Sequence, residues 1–260
     1  MKAVIIAAGR GSRLVPHTDH YPKCFIPFAG RRLIDWQLDA LRDAGVDEVI
    51  AVRGYKGDNF DGLGLQCFDN PRWAVTNMVY SLMCARERLL DGSDWIIAYG
   101  DILYEPRIPR LLIQAPGNAG VVVDRQWLKL WSARADDPLA DAESLKIGAD
   151  GDLIDIGQKA GTLKEIEAQY IGLLRFNADA MRALVLFYET ARVDADWLMG
   201  RPLEKCYMTD LVRGFIQSGH PVTAVVTDGG WLELDTNSDL DLYNGMLSEG
   251  TIGQFWTVPT

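Results

Sequence analysis

The order of elements along these 260 residues predicts a doubly wound α/β fold built on a mostly parallel sheet. Three observations carry it. Short apolar runs rich in β-branched residues recur and end abruptly at small or turn-forming residues, as at Ala3-Val4-Ile5-Ile6 before Ala7-Ala8-Gly9. Segments with apolar residues at helical spacing lie between those runs. A hydrophobic content of 48% is enough for a full core.

After the first strand, residues 31–44 place Leu33, Ile34, Leu38 and Leu41 at helical spacing, and Gly45 stops the helix where a C′ glycine is expected. A second strand over 48–52 ends at Gly54-Tyr55, and a shorter one covers 65–68. Val79, Leu82, Met83 and Leu89 predict a single helix over 76–90, followed by a strand over 95–99 that ends at Gly100-Asp101. A strand over 119–123 comes next. From Asp124 the texture changes: two tryptophans stand among many charges, and 144–156 reads as a hairpin turning at Asp150-Gly151. We read the chain as one domain over 1–260 with an insertion at 124–168 that covers the site. Strand 169–176, helices 178–191 and 208–217, strand 222–227 and a short strand 231–234 follow. A helix over 237–247, capped by Asn237, closes the fold, and residues 251–260 form a tail to which the sequence assigns no role.

Thirty-six acidic against 26 basic residues give a formal charge of −10, which disfavours a nucleic-acid or anionic-membrane surface. A triphosphate remains compatible, because local cations and Mg²⁺ can hold it while exposed charges beyond about 8–10 Å are screened. No run approaches the roughly 18 apolar residues of a membrane span, and Met1 leads into the first strand without a signal-peptide layout. A cytoplasmic location is expected. Cys24, Cys67, Cys84 and Cys206 are scattered without a Cys-x-x-Cys pair and are read as reduced packing residues.

The chemistry concentrates between Lys2 and Pro27. After the first strand the loop Ala7-Ala8-Gly9-Arg10-Gly11-Ser12-Arg13-Leu14 carries little bulk, so backbone N–H groups can approach an anion, while Arg13 and Lys23 add fixed positive charge. No third glycine and no Gly-Lys-Ser/Thr follow, which excludes the dinucleotide fingerprint and the P-loop. With its downstream Tyr21-Pro22-Lys23, this string resembles the N-terminal signature of the nucleotidyltransferases that join a nucleoside triphosphate to a phosphorylated small molecule. That superfamily includes sugar-1-phosphate nucleotidylyltransferases and bacterial CTP:phosphocholine cytidylyltransferases. Asn77 with Tyr80-Ser81-Leu82, the stretch Glu167-Ala168-Gln169-Tyr170-Ile171-Gly172-Leu173, and the closing Gly230-Trp231-Leu232-Glu233-Leu234-Asp235-Thr236 look like the cytidylyltransferase branch that acts on phosphocholine and phosphonates.

The resemblance implies nucleotide binding by Ala7, Ala8, Gly9, Gly11, Ser12, Arg13, Gly54, Asn77 and Ser81. It also implies that Arg13 faces the triphosphate, and that Lys23 bridges toward the α-phosphate and the acceptor. Asp101 and Asp235 each follow a strand, where ligands bind in open α/β sheets, and Mg²⁺ takes one or two carboxylates beside substrate phosphates. Either aspartate could instead be solvated or cap a helix; the resemblance assigns both to the metal and, with Arg13 and Lys23, to catalysis. For the acceptor, Lys159 and Glu167 are candidates, each with a plain surface role as its alternative. Trp127 and Trp131, four apart among acidic residues, would cage an ammonium group or pack the insertion on the core. His17 and His20 are read as loop residues, since no cysteine or third histidine completes a zinc set. The implied partners are CTP and a small phosphate or phosphonate. A sugar-1-phosphate nucleotidylyltransferase and a non-catalytic nucleotide-binding module stay as alternatives, and the base, the acceptor and the oligomeric state stay open. A glycosyltransferase is disfavoured because Asp101-Ile102-Leu103 stands where Asp-x-Asp would be needed.

Overall fold

A computed structural model describes residues 1–195 and 197–259. Seven strands form one sheet: β1 (Lys2–Ala7), β2 (Glu48–Arg53), β3 (Gln66–Asp69), β4 (Trp95–Tyr99), then β6 (Ala119–Asp124), β9 (Gln169–Phe176) and β10 (Thr223–Thr227). Their order across the sheet is β10-β6-β9-β4-β1-β2-β3. Only β9 among these pairs antiparallel to its neighbours, β4 and β6; the other pairings are parallel.

Both faces of the sheet are covered, and the alternation along β1 shows how. Ala3, Ile5 and Ala7 enter one core with α1 (Leu33–Asp43) and α3 (Arg107–Gln114), while Val4 and Ile6 enter a second core with α2 (Met78–Met83), α5 (Ala178–Asp194) and α6 (Met208–Gln217). A strand buried on both sides reads as a continuous apolar run, which is why β1, β2 and β4 are legible from composition alone. Between β6 and β9, a hairpin of β7 (Glu143–Ile147) and β8 (Leu153–Lys159) turns at Asp150-Gly151 as expected and packs on α6. Among the described residues no helix is long and apolar enough to cross a membrane. The four cysteines are free.

Two local expectations are corrected. The helix expected over 76–90 is two pieces, α2 and a turn over Arg86–Leu89. Ser81 and Cys84 hydrogen-bond back to the carbonyls of Asn77 and Tyr80, at 3.3 and 3.4 Å, which competes with a continuous helix in this segment. The last helix, α7 (Asn237–Ser248), is capped by Thr236, whose hydroxyl accepts from the Asp239 N–H at 3.1 Å. Asn237 instead donates its amide to the Val15 carbonyl at 2.8 Å. The sequence reading also passed over α3, α4 (Trp127–Arg134) and β5 (Ile102–Tyr104). The third omission matters for function. β5 pairs antiparallel with β11 (Trp231–Glu233), matching Ile102 to Glu233, and the Leu234 N–H donates to the Asp101 carbonyl at 3.0 Å. That short ladder places Asp235 beside Asp101.

Candidate active site

A cavity of about 320 Å³ opens at the C-terminal ends of β1 and β4. It is lined by Ala7, Ala8, Gly9, Gly11, Ser12 and Arg13 of the loop, by Asn77 and Ser81 of the α2 segment, and by Lys23, Asp101 and Asp235. The predicted loop, cations and carboxylates thus share one site. Gly54 supports it from behind: a Cβ there would stand 2.7 Å from the Ala8 carbonyl oxygen. The Tyr55 N–H donates to that same carbonyl at 2.9 Å, fixing the loop's entry.

The loop's path depends on glycine at position 11, whose φ is +69°, and where a Cβ would meet the Lys23 Cβ at 2.9 Å. The fully buried Thr18 donates its hydroxyl to the Gly11 carbonyl at 3.1 Å and ties the loop down. Gly11 lets the Lys23 stem run beneath the loop, so its ammonium reaches the carboxylates. The Lys23 Nζ donates to Asp101 Oδ2 at 2.8 Å and to Asp235 Oδ1 at 2.6 Å, and Arg13 pairs with the other oxygen of Asp235. Burial works against the Lys23 charge, but Asp101, Asp235 and Glu233 outweigh it and hold the ammonium above its ordinary value. Asp101 Oδ1 is buried without a hydrogen-bond partner. It is an oxygen donor aimed at nothing the protein supplies.

A second layer, which the sequence reading missed, orients Asp235. Asp239 Oδ2 accepts from the N–H groups of Asp235 and Thr236 at 3.0 and 2.9 Å, and Asp239 is held by Arg134 at 2.9 Å. Arg134 also pairs with Glu233 at 2.7 Å. Burial pushes the Glu233 carboxyl up, against the pull of Arg134. The Thr236-x-x-Asp239 spacing is a capping box and could have been read as one. Trp73, Thr76 and Tyr99 also line the cavity; no periodicity marks Trp73 or Thr76.

Of the acceptor candidates, Lys23 lines this cavity, whereas Lys159, Glu167, Trp127 and Trp131 do not, nor does any other residue of 124–168. Lys159 is exposed. Glu167 is exposed too, and it accepts from the Ile147 N–H at 2.9 Å and pairs with Lys146 at 3.5 Å, serving the hairpin. The ammonium cage is replaced by packing. Trp127 and Trp131 are 4% and 5% exposed, meet each other at 5.9 Å between ring centroids, and Trp131 meets Trp231 at the same distance. Trp131→Ala should therefore cost about 3–5 kcal/mol of stability and leave both substrate KM values unchanged; a selective rise in acceptor KM without a fall in Tm would restore the cage. His17 and His20 are exposed, and no group of three or more metal-ligating side chains occurs among the described residues.

Residues 3–153 match the family of MobA-like NTP transferase domains. Over 253 residues, the chain is 39% identical to the CTP:phosphoglutamine cytidylyltransferase of Campylobacter jejuni, covering 93% of this chain and 98% of that one. It is 34% identical to the CMP-5'-(3-aminopropyl)phosphonate synthase of Streptomyces rubellomurinus, over 48% of this chain and 21% of that one. The solved CTP:phosphocholine cytidylyltransferase of Streptococcus pneumoniae superposes with a TM-score of 0.72 at 22% identity, covering 95% and 98% of the two chains, which establishes the shared fold. With its glycine loop, paired cations and strand-end aspartates in one cavity, the chain belongs to the MobA-like nucleotidyltransferase family and to the cytidylyltransferases within it.

Proposed function

We propose that this protein transfers CMP from CTP to a small phosphate or phosphonate in the cytoplasm and releases pyrophosphate. The observation that carries the reading is the meeting of Gly9, Gly11, Arg13, Lys23, Asp101 and Asp235 around one cavity. The acceptors named for the relatives, a phosphorylated amino acid and an aminoalkylphosphonate, are small anions with a nitrogen at a distance from phosphorus.

The chemistry follows from charge. A phosphate monoester has its second pKa near 6, so at neutral pH the attacking oxygen is already ionised and needs no general base. The obstacle is repulsion between two anions that must meet in line at the α-phosphorus. Amides of the 7–13 loop and Arg13 would hold the triphosphate tail, and Lys23 would lie between the α-phosphate and the incoming anion. Asn77 and Ser81 would face the nucleoside. The donor set fits Mg²⁺: the unpartnered Asp101 Oδ1 and the Asp235 carboxylate are hard oxygen donors, and two protein carboxylates completed by phosphate oxygens are what this ion takes. Bound there, Mg²⁺ would supply charge neutralisation at the reacting phosphates. Glu233, Arg134 and Asp239 would keep Asp235 in place.

The test is pyrophosphate release with Mg²⁺, crossing CTP, UTP, dTTP, ATP and GTP with phosphoethanolamine, phosphocholine, 2-aminoethylphosphonate, a phosphorylated amino acid and several sugar 1-phosphates. CTP with a small non-sugar acceptor is the expected productive pair. Turnover confined to sugar 1-phosphates would replace this reading with a sugar nucleotidylyltransferase.

A further inference from the structure

Among the residues that line the cavity, those of the stretch 73–81 carry no charge: Trp73, Thr76, Asn77, Met78 and Ser81. A neutral, planar nucleobase suits such a stretch as the triphosphate suits the 7–13 loop. Gly54 admits Trp73 against that loop, since a Cβ at 54 would stand 2.6 Å from the Trp73 Cβ. Tyr55 meets the indole edge to face, 5.2 Å between centroids. The aromatic part of the wall is therefore held in place, and the polar part is Thr76, Asn77 and Ser81.

Asn70, the residue after β3, is 1% exposed and does not itself line the cavity. Its Oδ1 accepts from the Arg72 N–H at 2.9 Å, which fixes the two ends of the amide, because a backbone N–H can only donate. Nδ2 therefore carries the donors. It gives one to the Thr76 hydroxyl at 3.0 Å and one to the Ser81 hydroxyl at 2.9 Å. Each hydroxyl passes its own proton on, Thr76 to the Arg72 carbonyl at 2.9 Å and Ser81 to the Asn77 carbonyl at 3.3 Å. A hydroxyl oxygen has one proton and two lone pairs. With the proton and one lone pair spent on the protein, each oxygen keeps a single lone pair, so both hydroxyls are left as acceptors.

We propose that Asn70 is the positioning residue for base choice: it fixes the Thr76 and Ser81 hydroxyls as acceptors, and these read the 4-amino group that separates cytosine from uracil and thymine. This rests on the cytidylyltransferase reading and assigns its base selection to particular atoms. Cytosine presents an N–H donor where uracil and thymine present a carbonyl oxygen. For either hydroxyl to donate to that oxygen, its proton would have to leave the Arg72 or Asn77 carbonyl. The direction toward Asn70 is closed to the proton, because the amide N–H already occupies it. A uracil would therefore face lone pairs, or break a bond that the protein makes for itself.

The test is calorimetry with Mg²⁺ and no acceptor, measuring CTP and UTP binding to the wild type, Thr76→Val, Ser81→Ala and Asn70→Ser. The wild type should bind CTP tighter than UTP by about tenfold or more. Thr76→Val keeps the shape of the side chain and Ser81→Ala removes one oxygen; each should lower the CTP:UTP ratio about tenfold, chiefly by weakening CTP. Asn70→Ser leaves an oxygen to accept from the Arg72 N–H and removes the donors to both hydroxyls. It should lower the ratio although residue 70 touches no ligand, with part of the change arising from tighter UTP. A merely structural Asn70 would weaken both nucleotides alike. An unchanged ratio in Asn70→Ser, an unchanged ratio in both hydroxyl variants, or equal binding of CTP and UTP to the wild type overturns the assignment. Should Asn70→Ser not fold, the two hydroxyl variants decide. CTP turnover with unshifted ratios would remove the assignment and leave the cytidylyltransferase reading standing, whereas shifted ratios without turnover on any acceptor would do the reverse.

Discussion

Asp101→Asn and Asp235→Asn should each lower pyrophosphate release by about a thousandfold or more at saturating substrates, a loss at or beyond that of one electrostatic donor in a preorganised site. Both variants should stay folded. Lys23 bonds both carboxylates, so removing one charge leaves its ammonium the other at 2.8 or 2.6 Å. Arg13, freed in Asp235→Asn, is 64% exposed and returns to water at little cost. The variants therefore separate two roles that the structure superimposes: anchoring Lys23 and offering oxygen to a metal. If the aspartates hold Mg²⁺, the residual activity should need far more Mg²⁺ for half-saturation, with Tm nearly unchanged. A lower Tm with normal rates and unchanged Mg²⁺ dependence would make them structural partners of Lys23 and nothing more. Asp101→Asn is the sharper case, since Asp101 Oδ1 has no partner in the protein to lose.

What was legible in the sequence follows from how local each feature is. The 7–13 loop and Lys23 sit in one stretch, and the lack of bulk at Gly9 and Gly11 is itself the signal. Asp101 and Asp235 could be nominated from strand ends, but what brings them together is a ladder of three residues on each side, Ile102–Tyr104 against Trp231–Glu233, too short to show a period. The tryptophans illustrate a true ambiguity. A spacing of four puts Trp127 and Trp131 on one helical face, and whether that face meets a ligand or the core depends on Trp231, a hundred residues later. Gly172 carried a clue that went unused: an isolated glycine within a strand pattern marks a bulge or a close approach, and here it marks both, the close neighbour being the Tyr99 ring. Thr236 and Asn237 are both good caps by composition, and the contest was decided by the Val15 carbonyl, which claims the asparagine.

Lys23→Met, which keeps most of the buried stem and removes only the charge, should lower kcat by about a hundredfold to a thousandfold and leave CTP affinity nearly intact. The reasoning is differential. In the ground state the loop amides and Arg13 can hold the triphosphate, whereas an ammonium between the α-phosphate and the acceptor matters most when two anions are forced together. Equal losses in affinity and turnover would reduce Lys23 to a binding residue, and turnover within threefold of wild type would remove it from the mechanism. Stability gives a second readout. With the side chains of Lys23 and Asp235 12% exposed and that of Asp101 25%, leaving the two carboxylates facing each other should cost about 3–5 kcal/mol. Burial opposes the Lys23 charge, but the facing carboxylates hold its folded-state pKa above the ordinary lysine value, so the stability it contributes is complete below that ordinary value and is lost only as pH rises through the folded one. The deficit of the variant should accordingly be at its full size at neutral pH and shrink only in strong alkali, as the wild type loses its own ammonium. Mg²⁺ should recover more Tm in the variant than in the wild type, because the ion no longer competes with an ammonium for the same oxygens. Equal Mg²⁺ shifts in the two proteins would mean that the metal and Lys23 do not share Asp101 and Asp235.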